Sequence, residues 1–189
     1  MWEQAQWLSE VAGAHKGEAN IIFYYAGHGI PDESTRNAYL LPVDGRGNNV
    51  VTGYRLGELY ATLSKNPTAS TLVFLDACFS GAERNGNVVA QARGVAIKSK
   101  QDSPIGEMVV FSAAQEDETA YPYKEKSHGL FTYYLLKKLQ DTKGNVLLGE
   151  LADYIIDEVS RQSIVENAKS QTPSVAASVH RSDWKTMKL

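Results

Sequence analysis

Two short runs in this chain are apolar on both faces: Ile21 to Ala26 (IIFYYA) and Thr71 to Leu75 (TLVFL). Both are rich in β-branched and aromatic residues and too short for a buried helix, so each predicts a central strand of a parallel sheet. Glu107 to Ser112 (EMVVFS) predicts a third strand, and Pro173 to Val179 (PSVAASV) an edge strand. Elsewhere the apolar positions take helical spacing. Trp2, Ala5, Trp7, Leu8 and Val11 mark an amphipathic helix packing toward the first strand, and Arg55 to Leu63 a helix stopped near Asn66-Pro67. His128 to Gln140, capped by Ser127, carries the stripe Leu130, Phe131, Tyr134, Leu135 and Leu139, and a last helix runs from Leu148 to Ile164. A strand–helix–strand unit of this kind predicts a right-handed parallel crossover. Residues 82–106 hold no sustained period and predict a long exposed loop.

Both apolar runs end in reactive chemistry. The first leads into Gly27-His28-Gly29 and the second into Asp76-Ala77-Cys78-Phe79-Ser80-Gly81. Ligands and catalytic groups in open α/β sheets collect at the carboxyl ends of strands. One strand therefore delivers an imidazole and the other the only thiol in the chain, which points to a cysteine nucleophile with a histidine partner.

The composition narrows the classes. At 189 residues, 43% hydrophobic and 22% charged, the chain fits one domain with a substantial core. A net charge of −3 gives no reason to expect nucleic acid or an anionic membrane as partner. No apolar stretch approaches the roughly 20 residues needed to span a bilayer. The first ten residues (MWEQAQWLSE) lack the basic start and apolar core of a secretory signal, so a cytoplasmic location is expected. A single cysteine excludes an internal disulfide and suits a reducing compartment.

Several blocks in one order carry a resemblance: Tyr25-Ala26-Gly27-His28-Gly29, Tyr39-Leu40-Leu41-Pro42-Val43-Asp44, Asp76-Ala77-Cys78-Phe79-Ser80-Gly81, Phe111-Ser112-Ala113-Ala114 and Ser127-His128-Gly129-Leu130-Phe131-Thr132. Together they resemble the caspase-like cysteine peptidases, particularly metacaspases and their bacterial relatives. His28 precedes Cys78 by 50 positions, the interval found in caspases. The resemblance implies a three-layer α/β sandwich with a mostly parallel central sheet and helices on both faces, a single domain over residues 1–189. The family normally carries two more strands and a helix before the histidine strand, so the domain reads as N-terminally incomplete. A missing N-terminal segment or another chain is expected to complete the sheet, because an open apolar strand edge is an aggregation hazard. Metacaspases often have serine two residues before the histidine, where this chain has Ala26.

The expected chemistry follows. Cys78 is the nucleophile, and His28 assists thiol activation or protonates the leaving amine. The resemblance implies an oxyanion hole from the Gly29 and Cys78 N–H groups, and a pocket for a basic residue lined by Asp76. A carboxylate there favours Arg or Lys before the scissile bond. Arg84, Arg93, Lys98 and Lys100 make residues 82–106 a candidate for self-cleavage. His15, His128 and His180 read as structural. Asp32, Glu33, Asp44, Asp117 and Glu118 read as solvated loop charges rather than calcium ligands, so no metal or cofactor is expected. The resulting expectation is an endopeptidase acting on proteins or peptides. The alternatives are a non-catalytic caspase-like module for signalling or assembly, and a peptidase of acidic preference.

Overall fold

In the computed structural model of the chain, residues 1–46, 49–79, 99–100 and 102–189 are described. Nine strands and four α-helices run in the order α1 (Trp2–Ala14), β1 (Asn20–Ala26), β2 (His28–Pro31), β3 (Ala38–Leu41), β4 (Tyr54–Arg55), α2 (Leu56–Leu63), β5 (Ser70–Asp76), β6 (Met108–Ser112), β7 (Pro122–Tyr123), β8 (His128–Gly129), α3 (Leu130–Thr142), α4 (Leu148–Asn167) and β9 (Ser174–Ala177) among these residues. The main sheet has the order β1-β5-β6-β9; β1, β5 and β6 are parallel, and β9 is antiparallel at the far edge.

Strand alternation sorts the side chains into two cores. From β5, Val73 and Leu75 join Ile21, Phe23, Met108 and Val110 beneath α1 and α2. Leu72 and Phe74 join Val109 and Phe111 beneath α3 and α4. The result is three layers, the α/β caspase-like sandwich that the sequence predicts. β6 is buried at all five positions, as a strand covered on both faces requires. Phe111 shows how closely the second core is filled: its ring lies 5.0 Å from that of Phe74 and 6.2 Å from that of Trp184. Phe111→Ala is expected to cost about 3–5 kcal/mol in a urea titration, since this site has no room to collapse.

Three local expectations need correction. β1 is an edge strand of the described sheet rather than a central one, and Ile22 (57%) and Tyr24 (46%) are exposed on the face toward α3. In α1 the buried stripe is Ala5, Ser9 and Ala12, while Trp7 stays 60% exposed. Small residues bring that helix close to the sheet, and the indole is too large for the seam. Ser127 does not cap α3, because it takes a left-handed conformation before β8, and His128 lies in β8 rather than in the helix. The first helical N–H groups find tertiary partners instead: Leu130 N donates to the Tyr121 carbonyl and Thr132 N to the Asp76 carboxylate.

Candidate active site

β1 and β5 run side by side from Asn20↔Ser70 to Ala26↔Asp76, and the Gly27 N–H still donates to the Asp76 carbonyl at 3.1 Å. The two reactive segments therefore leave the sheet together. Cys78 belongs to the α3/α4 core and is 1% exposed, whereas the next residue, Phe79, turns into the α1/α2 core. Gly29 lies against this pair: a Cβ added there would come within 2.5 Å of the Cys78 carbonyl oxygen and would collide with the Phe79 ring. Alternation along β2 puts the exposed His28 side chain on the opposite face of that strand from the Gly29 Cβ direction.

His28 has a built support. It opens β2, whose antiparallel partner β3 pairs it with Leu41. The Tyr25 hydroxyl is 2.8 Å from both the His28 and the Leu41 carbonyl oxygens, one O–H shared between two acceptors across that pair. Gly27 makes this possible, since a Cβ there would lie 2.5 Å from the Tyr25 hydroxyl oxygen. The glycines on either side of His28 thus serve two close approaches, one to a phenol and one to the Cys78 segment.

Asp76 is fully buried, with no direct exposure to solvent. Its Oδ2 accepts from Thr132 N (3.3 Å) and from Thr132 Oγ1, so it anchors the first turn of α3 as a carboxylate from another element. Gly129 abuts the same carboxylate; a Cβ there would lie 2.8 Å from its Cγ. A cleft of about 360 Å³ opens directly above, with Tyr24, Ala26, His128, Gly129 and Thr132 in its lining. Asp76 does not line this cleft itself. It stands one hydrogen bond beneath the floor.

The remaining candidates are scattered. Arg84, Arg93 and Lys98 lie outside the described residues. Lys100 forms a bridge with Asn37, its N–H donating to the Arg36 carbonyl at 2.6 Å, and Ser99 beside it is buried; most of the 82–106 segment lies outside the described residues. His15, His128 and His180 are all exposed. Glu118 is not merely solvated, because it accepts from Thr172 N (2.5 Å) and Thr172 Oγ1 (3.0 Å). Three hydrogen bonds from Ser34 and Thr35 lower the Asp32 carboxyl to about 2. Among the described residues no group of three or more His, Cys, Asp or Glu is placed to hold a metal ion, and no helix is long and apolar enough to cross a membrane.

Sequence reasoning missed four side chains: Tyr24, Tyr25, Thr132 and Gln171. The first three fall in or beside the quoted motifs, but their partners are distant in sequence. Gln171, fully buried, accepts from Tyr121 N (2.7 Å) and donates to the Ala113 carbonyl (2.8 Å), bracing the end of β6 beside the Cys78 strand.

Comparison with known proteins agrees with this fold. Two solved structures share the fold. A Geobacter sulfurreducens protein matches with 21% identity over 98% of this chain and 76% of its own, at a TM-score of 0.64. Caspase-1 from Spodoptera frugiperda matches with 13% identity over 93% of this chain and 66% of its own, at a TM-score of 0.55. This chain therefore spans about two thirds of that caspase. No curated protein matches it. The family description Caspase domain matches residues 1–183, nearly the whole sequence, and the chain belongs to that cysteine peptidase family.

Proposed function

We propose that this protein is a cysteine endopeptidase that hydrolyses protein or peptide substrates after Arg or Lys, in the manner of metacaspases. The single observation carrying the proposal is the β1–β5 register, which continues to the Gly27–Asp76 bond and keeps His28 and Cys78 at adjoining strand ends. In the proposed reaction the Cys78 thiol passes its proton to the His28 imidazole, and the sulfur attacks the scissile carbonyl. The Gly29 and Cys78 N–H groups hold the tetrahedral oxyanion, each such donor being worth about 3 kcal/mol in the transition state. The C–N bond breaks as the imidazolium protonates the leaving amine. Water, deprotonated by the imidazole, then releases the acyl group and restores the thiol. No metal or cofactor enters these steps.

The preference for Arg or Lys is supported by the position of Asp76 beneath a cleft whose floor is Gly129 and Thr132. A cation entering that cleft is attracted by the buried negative charge one hydrogen bond beneath its floor, and an acidic side chain there is penalised. The edge position of β1 supports a further strand added there, from an N-terminal segment or another chain. A reducing compartment such as the cytoplasm would keep the thiol active.

A library of fluorogenic peptides varied at the residue before the cut tests the specificity. At least tenfold higher kcat/KM for Arg or Lys than for any other residue is expected; preference for Asp there would remove the role given to Asp76. One observation favours the non-catalytic alternative, the 1% exposure of Cys78. An arginyl electrophile separates the two: stoichiometric labelling of Cys78 supports the peptidase, and absence of labelling supports the module.

A further inference from the structure

We infer that Tyr24 is a positioning residue that sets the specificity of the cleft, acting through Thr132 on the Asp76 carboxylate. The inference rests on the preference for Arg or Lys proposed above. Tyr24 projects from the edge strand, lines the cleft and remains 46% exposed, yet its hydroxyl lies 2.7 Å from the buried Thr132 Oγ1.

Proton counting fixes the direction of this chain. A threonine hydroxyl has one proton and two lone pairs, and an ionised carboxylate only accepts. Thr132 Oγ1 donates to Asp76 Oδ2, so the Tyr24 hydroxyl must be the donor to Thr132. The phenol thereby holds the threonine rotor with its proton aimed at the carboxylate. The Thr132 N–H adds a second donor to the same oxygen, and Gly129 leaves room for the carboxylate to come this close. One cleft-wall hydroxyl thus fixes the hydrogen bonding of the cleft floor above the buried anion. A guanidinium carries its donors in a rigid fork and depends on the direction of the acceptors lining the cleft, the Tyr24 and Thr132 hydroxyls among them, whereas an ammonium behaves as a point charge. Arg substrates should therefore depend on Tyr24 more than Lys substrates do.

Tyr24→Phe keeps the ring in the cleft wall and deletes only the donor. The measurement is kcat/KM on otherwise identical peptides carrying Arg, Lys or norleucine before the cut, with thermal melts to confirm folding. The Arg-to-norleucine ratio is expected to fall about tenfold, the size of one lost hydrogen bond to a fixed partner. The change should lie in KM more than kcat and be smaller for Lys. Thr132→Val should lower the same ratio, Thr132→Ser should restore it, and Tyr24→Phe should have no further effect in the Thr132→Val background. A Tyr24→Phe enzyme with an unchanged ratio, or with equal losses on all three peptides, overturns the inference while leaving the Arg or Lys preference intact. A wild-type enzyme that does not prefer Arg or Lys overturns both.

Discussion

Cys78→Ala is expected to lower kcat on an Arg peptide by a factor on the order of 10⁴ or more, because losing the nucleophile removes the covalent route altogether. The measurement is initial rate under saturating substrate, with His28→Ala alongside. The two residues act as one unit in the proposed chemistry, so the double variant should be no slower than the worse single variant. Cys78 is packed in the α3/α4 core, so its truncation also leaves a small void, and a modest fall in melting temperature should accompany the loss. Hydrolysis by Cys78→Ala at the wild-type rate would end the peptidase assignment. The same pair of proteins tests self-cleavage: fragments should form from the wild type alone.

Gly29→Ala should be nearly as damaging to activity, although it changes no reactive group. The added methyl would meet the Cys78 carbonyl oxygen at 2.5 Å and collide with the Phe79 ring. One of those neighbours is backbone and cannot rotate away, so β2 must move off the Cys78 segment. That movement carries the His28 imidazole and the Gly29 N–H with it. A displaced oxyanion donor costs about 10²–10³ in kcat, and overpacking of this kind costs about 1–3 kcal/mol of stability. A folded Gly29→Ala enzyme with wild-type kcat would show that the close approach has no part in catalysis.

Much of this was legible in the sequence, for identifiable reasons. β5 and β6 stand out because a strand buried on both faces must be apolar at every position, and α3 and α4 because each buries a single stripe. The neighbouring ends of β1 and β5, on which the proposed His28–Cys78 pair rests, were legible from two apolar runs and their interval. The family resemblance marked Asp76, but not its bonds to Thr132, since nothing local to residue 76 tells that a helix beginning 54 positions later will use its carboxylate as an anchor. The face of α1 was misread because hydrophobicity favours Trp7, while the seam against the sheet selects Ala5, Ser9 and Ala12 for size. The role of Tyr25 needed the β2–β3 pairing, which joins His28 to Leu41 through short, weakly patterned strands.

The division of labour between the two cores has a mechanical consequence. Residues 1–79 supply the helices of one layer and residues 102–189 those of the other, while β5 and β6, one from each half, lie hydrogen-bonded in the middle. Lys100 reaches back to Asn37, and the Arg181 guanidinium reaches the Ala69 carbonyl while pairing with Glu107. A backbone nick between residues 79 and 99 would therefore leave two interlocked pieces, clasped along a full strand and pinned at separate points, and severing the chain would not dismantle the domain.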